Sequence, residues 1–146
     1  MKYLFLFISI FFLTKCFSQN IDWKVAKNWK LYDIRNGSAF NYSIDTLKHF
    51  KSIHLDLDTM HIFLSDVVEW PRNKSSLWMG LYVATCELPG REVRKIEISV
   101  YGGFFYDDLT KTYYQLPLAV RNSWLDYFSD NSRRLSLLIK GNKDPF

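Results

Sequence analysis

Residues 54–61, His-Leu-Asp-Leu-Asp-Thr-Met-His, place two histidines and two aspartates within eight positions. Side chains alternate along extended backbone, so a strand over 53–57 sets His54, Asp56 and Asp58 on one face and Ile53, Leu55 and Leu57 on the other. His61 follows one turn into a helix. Nitrogen and oxygen donors from a strand and a helix suit Zn2+ or another divalent ion. A bound water would then serve as the nucleophile of a hydrolase using His54, Asp56 and His61. The same residues have a structural reading. Any half-buried strand alternates, and Asp58 stands where a helix needs an N-cap whose carboxylate accepts the free amide hydrogens of the first turn. The spacing matches neither a zinc-protease helix nor an EF-hand loop, so nothing in it fixes ligand geometry in advance. The structural reading is preferred, with no metal and no cofactor expected; the hydrolase is the alternative.

An internal echo supports that preference. Asp45-Thr-Leu-Lys-His-Phe and Asp58-Thr-Met-His-Ile-Phe share Asp-Thr-[Leu/Met]-x-x-Phe. Asp or Thr ahead of apolar residues three and four apart signals a helix start. The first copy has no carboxylate two residues upstream and only His49 nearby, so folding explains what the copies share. A short helix is predicted over 45–51. A second is predicted to begin at Asp58 and to gather Met60, Phe63, Leu64, Val67, Val68 and Trp70 on one arc, stopping before Trp70-Pro71 because proline disfavours helix in the residue before it.

The other candidate for contact chemistry is aromatic. Tyr101, Phe104, Phe105, Tyr106, Tyr113 and Tyr114 place six rings on two adjacent predicted strands. Exposed rings there could stack on a sugar or on a partner's side chain. A covered sheet must also bury about every second ring, so part of the set is expected in the core. The stretch beside Gly102-Gly103 is the expected exposed edge, and paired glycines in a strand mark a bulge or a close approach to the backbone. Asp107-Asp108 sits where a hairpin turn favours aspartate.

The elements that must position these residues follow from periodicity. Leu77, Met79, Leu81 and Val83 alternate with Trp78, Tyr82 and Ala84, apolar on both faces, as in a central strand covered on both sides. Leu88-Pro89-Gly90-Arg91 turns the chain. Ile96, Ile98 and Val100 then face inward, with Lys95, Glu97 and Ser99 outward. A short strand around 29–34 precedes these. Pro117 opens a helix with Val120, Trp124, Leu125 and Phe128 on its apolar face, Asp130-Asn131 end it, and a last strand covers Leu135 to Ile139. The expected fold is α+β: a mainly antiparallel sheet of four or five strands, with two N-terminal helices and one C-terminal helix packed largely on one face.

Composition bounds the rest. Lys2 followed by an apolar run from Leu4 to Leu13 is the layout of a secretory signal peptide, and the run is about half of what crosses a bilayer. Cleavage after Ser18 gives a leader, residues 1–18, and a single domain, residues 19–146. The alternative is a lipoprotein anchored at Cys16, which Leu13 favours and the bulky charge of Lys15 opposes. Of 19 basic residues two leave with the leader, so 17 face 15 acidic ones and the net charge falls from +4 to +2, too little to argue for nucleic acid. Cys86 alone then remains, with no partner for an internal disulfide. Three Asn-x-Ser sequons, at Asn36, Asn41 and Asn73, matter only in a eukaryotic secretory pathway. No nucleophile elbow, phosphate loop or CxxC occurs. The expectation is an exported, periplasmic or secreted binding or interaction module of inhibitor, immunity or accessory type, with another protein as partner. A carbohydrate-binding module is a further alternative.

Overall fold

The computed structural model describes residues 21–34, 42–71, 80–99 and 103–141. The leader with Cys16, the asparagines of the three sequons, Leu77 to Met79, Val100, Tyr101 and Gly102 lie outside the described residues. The fold is α+β. Its strands are β1 (Lys27–Tyr32), β2 (Ser52–His54), β3 (Val68–Trp70), β4 (Gly80–Leu88), β5 (Glu92–Ser99), β6 (Phe104–Asp107) and β7 (Thr112–Gln115). Its helices are α1 (Ile44–Leu47), α2 (Leu57–Phe63) and α3 (Arg121–Gly141). The strands form one seven-stranded sheet in the order β2-β1-β4-β5-β6-β7-β3, every neighbouring pair antiparallel. Strands β4 to β7 are the predicted meander. What exceeds the expected strand count is β2 at one edge and β3 at the other, so the link carrying α2 takes the chain from edge to edge.

The sheet is covered on both faces. On one, Leu31, Ala84, Cys86, Ile96, Ile98 and Phe105 pack against Met60 and Phe63 of α2 and Trp124 and Phe128 of α3. On the other, Tyr32, Ile34 and Val83 meet Leu47 of α1, with Tyr42 and Phe50 alongside. The two N-terminal helices therefore lie on opposite faces rather than together. This also corrects the reading of Lys95, Glu97 and Ser99 as outward: all three are buried, and the 42–50 segment lies on that side of the sheet near β5, with the Tyr42 carbonyl on Lys95.

Three helix ends differ from the periodic reading. Helix α1 ends at Leu47 rather than at residue 51. Helix α2 stops at Phe63, and Val68–Trp70 pairs with β7 through Val68↔Gln115, Glu69↔Tyr114 and Trp70↔Tyr113. Valines at 67 and 68 are β-branched and favour a pleated neighbour over a further helical turn. Helix α3 runs unbroken through Asp130-Asn131 to Gly141, and the predicted last strand is its second half. Asn131 Nδ2 donates to the Tyr127 carbonyl 2.9 Å away, so a residue read as a breaker bonds to its own helix. Leu135 is buried in line with Trp124 and Phe128.

Gly103 fulfils the expectation of a close approach. Its φ is +65°, and an added Cβ would collide with the side chain of Arg121. Arg121 Nε donates to the Leu116 carbonyl (3.0 Å), and the Leu116 amide donates back to Gly103 O (2.9 Å). The start of α3 is thus clasped to the base of the β6–β7 hairpin.

Candidate functional site

The histidine and aspartate octet lies where extended backbone becomes helix, as expected, but the cap is Asp56 and not Asp58. Asp56 Oδ2 accepts both the Thr59 amide (2.8 Å) and the Thr59 hydroxyl (2.6 Å). These bonds, the hydroxyl's first, hold its carboxyl below the usual aspartate range. The amide of Asp56 donates to the Tyr127 hydroxyl of α3 at 2.8 Å. The reason is geometric: an N-cap oxygen reaches the amide three residues on, and from Asp56 that amide is Thr59. In the echo, Ser43 caps α1 and its Oγ accepts from the Thr46 amide at 3.1 Å, again two residues before the shared Asp. The repeat is therefore [Ser/Asp]-[Ile/Leu]-Asp-Thr-[Leu/Met], longer than it first reads.

The remaining octet side chains do not converge. His61 Nε2 lies 3.4 Å from the Ala26 carbonyl, while His54 lines an open groove of about 450 Å3 with Lys30, Tyr32, Lys48, Thr85 and Glu87. Among the described residues no group of three or more His, Cys, Asp or Glu side chains could hold a metal ion. Cys86 is buried, and that burial pushes its thiol far above the usual range, so it packs as a small apolar group.

The aromatic set divides between the two faces. Phe105 and Tyr114 point inward, stacked with ring centres 5.1 Å apart, and Trp23 meets both edge-on. At 0% and 6% exposure they are core residues. Phe104, Tyr106 and Tyr113 point the other way and are half-buried. Tyr106 and Tyr113 form a cross-strand pair with ring centres 4.7 Å apart, and Phe104 meets Trp70 of β3 at 5.3 Å. Trp70 is the member missed when 60–70 is read as one helix.

Beside these rings lies a charged cluster that sequence reasoning passed over. Glu97 pairs across the sheet with Tyr106 on one side and Val83 on the other. Lys95, two residues before it, donates from Nζ to the Tyr42 carbonyl (3.0 Å) and pairs with Asp108 Oδ2 (3.1 Å). Asp108 also takes Lys111 at 2.9 Å. Burial pushes Asp108 upward, but the hydrogen bonds from Lys111 and Lys95 outweigh it and hold the carboxyl below its usual range. Glu97 has no such support: it is 1% exposed, and among the described residues neither carboxyl oxygen has a hydrogen-bond partner. Lys95 Nζ is 3.7 Å from it, beyond hydrogen-bond reach. Burial pushes Glu97 up to about 7, with Lys95 offsetting only part. The only signal in the sequence was the Lys-x-Glu pair itself, which alternation assigns to solvent.

Asp107 fills the turn role expected of it, accepting the Leu109 amide (3.1 Å) and Thr110 hydroxyl (2.7 Å). It also pairs with buried Arg94 at 2.8 Å. Comparison with protein families, curated proteins and solved structures finds no match to this chain. Among the described residues no helix is long and apolar enough to cross a membrane.

Proposed function

We propose that the protein is an exported binding module that engages another protein, without a cofactor, through the rings Trp70, Phe104, Tyr106 and Tyr113. The observation that carries this reading is that four half-buried rings from three neighbouring strands share one face of the sheet beyond the 42–50 segment. Rings held in a sheet offer large contact area with few torsions left to freeze, which is why aromatic residues dominate binding hot spots. A carbohydrate partner would use the same rings by stacking and is the second reading. Export rests on the leader: the mature chain is expected to begin at Gln19, and a lipid-modified Cys16 at its start would establish the anchored form instead.

The test compares tagged wild type with Phe104→Ser/Tyr113→Ser and, as a control, Leu118→Ser, since Leu118 is 79% exposed and is not one of the rings. Wild type and control are expected to retain one protein of fixed stoichiometry from envelope or culture fluid, and the double variant to lose it with its circular dichroism unchanged. Equal retention by the double variant removes the ring face from the account. Ring-dependent binding on a glycan array, with no protein retained, selects the carbohydrate reading.

A further inference from the structure

We propose that Glu97 makes the seating of residues 42–50 on the sheet depend on a proton: seated while its carboxyl is protonated, released as that carboxyl ionises. The inference concerns the segment beside the ring face and does not require that face to have a partner.

The geometry carries it. Glu97 lies on the side of the sheet where Leu47 packs on Val83, its cross-strand neighbour. A carboxylate buried without hydrogen bonds is costly, and a neutral carboxyl much less so. Among the described residues the cation that pairs with it at 3.7 Å is already committed, because Lys95 Nζ serves the Tyr42 carbonyl and Asp108. Lys95 is therefore the link between charge and segment: one of its bonds holds Tyr42 at the segment's start. Ionised Glu97 competes for that ammonium, and lifting the segment admits water to the carboxylate.

The surrounding groups are few among the described residues. Strand β5 brings Lys95, the β6–β7 turn brings Asp108 and Lys111, and strands β6 and β1 bring Tyr106 and Tyr32. Strand β4 presents Val83 and Thr85, which do not titrate. The segment contributes Tyr42 and His49, and its Asp45 and Lys48 pair with each other at 2.6 Å in solvent.

Linkage gives the signature. Glu97 titrates near 7 when covered and near its ordinary 4.5 when uncovered. Between those values the covered form holds a proton that the uncovered form has lost, so opening grows about tenfold per pH unit and levels off above neutrality. Suitable probes are the amides of Leu47, His49 and Phe50, bonded to Ser43 O, Thr46 O and Leu47 O. A helix of four residues does not hold such bonds without the packing beneath it.

The experiment is amide hydrogen exchange of those three residues in the purified protein from pH 5 to 8.5, corrected for intrinsic exchange rates, with Glu97→Gln alongside. Wild type is expected to show the rise and plateau, and the variant a flat opening constant over the same range. A flat wild-type profile, or the same rise in Glu97→Gln, overturns the proposal. Should the variant not fold, the side-chain carboxyl 13C shift of Glu97 in wild type decides: a midpoint near 7 supports it, and one near 4.5 overturns it.

Discussion

Two aspartates flank Leu57, and only one of them starts the helix. Asp56 holds the Thr59 amide and hydroxyl, while Asp58 lies two residues later, in solvent. Asp56→Ala is expected to lower Tm by a few degrees and Asp58→Ala by less, measured by thermal unfolding at pH 7. The Asp56 carboxyl is held below its ordinary 3.8, so its stabilisation is present above that pH and is lost as pH falls through the lower folded value. The gap between wild type and Asp56→Ala should therefore close in strong acid. The echo made the existence of both helix starts legible. Their caps were misplaced by two residues because Ser43 and Asp56 were not read as equivalent. A second contrast concerns the rings. Phe105→Ala is expected to cost about 3–5 kcal/mol in denaturant unfolding, as a buried ring does, and Tyr113→Ala clearly less. Sequence alternation could say that half of the rings face inward but not which half, since both faces of that sheet carry aromatic residues.

Among the elements, α3 gives the sharpest check. Asn131→Pro removes a hydrogen-bonded amide from the middle of a 21-residue helix and is expected to cost about 3 kcal/mol or more. Full stability of that variant, by chemical denaturation, would restore the reading in which the helix ends there. Asp and Asn favour turns because their side chains compete for backbone groups, yet no Gly or Pro separates Leu118 from Ile139, and Trp124, Phe128 and Leu135 keep one face. That continuity was present in the sequence and was outweighed by two local residues. Strand β3 was less accessible: an arc of apolar residues over 60–70 fits a helix, and only pairing with β7 decides for a strand. Strand β5 shows a related limit. Its alternation identified Ile96 and Ile98 correctly, but a polar face is solvated only if nothing covers it, and Tyr42, whose carbonyl takes the Lys95 ammonium, lies 53 residues away in sequence.

At the scale of the molecule, the α+β class and the meander were legible because hairpin partners are neighbours in sequence. The two edge strands and the second core were not, since they depend on contacts between distant segments. The consequence for function is a sheet covered on one side by α2 and α3 and, on the other, by the 42–50 segment, with Trp70, Phe104, Tyr106 and Tyr113 half-buried next to it. The central claim is that these rings are where another protein binds. It is tested most directly by placing a photo-crosslinking phenylalanine analogue at Tyr113 in the native host, with Leu118 as the control site. A discrete covalent adduct with one protein, formed from position 113 and not from 118, is the expected result. Equal adducts from both positions, or none from 113, would contradict it.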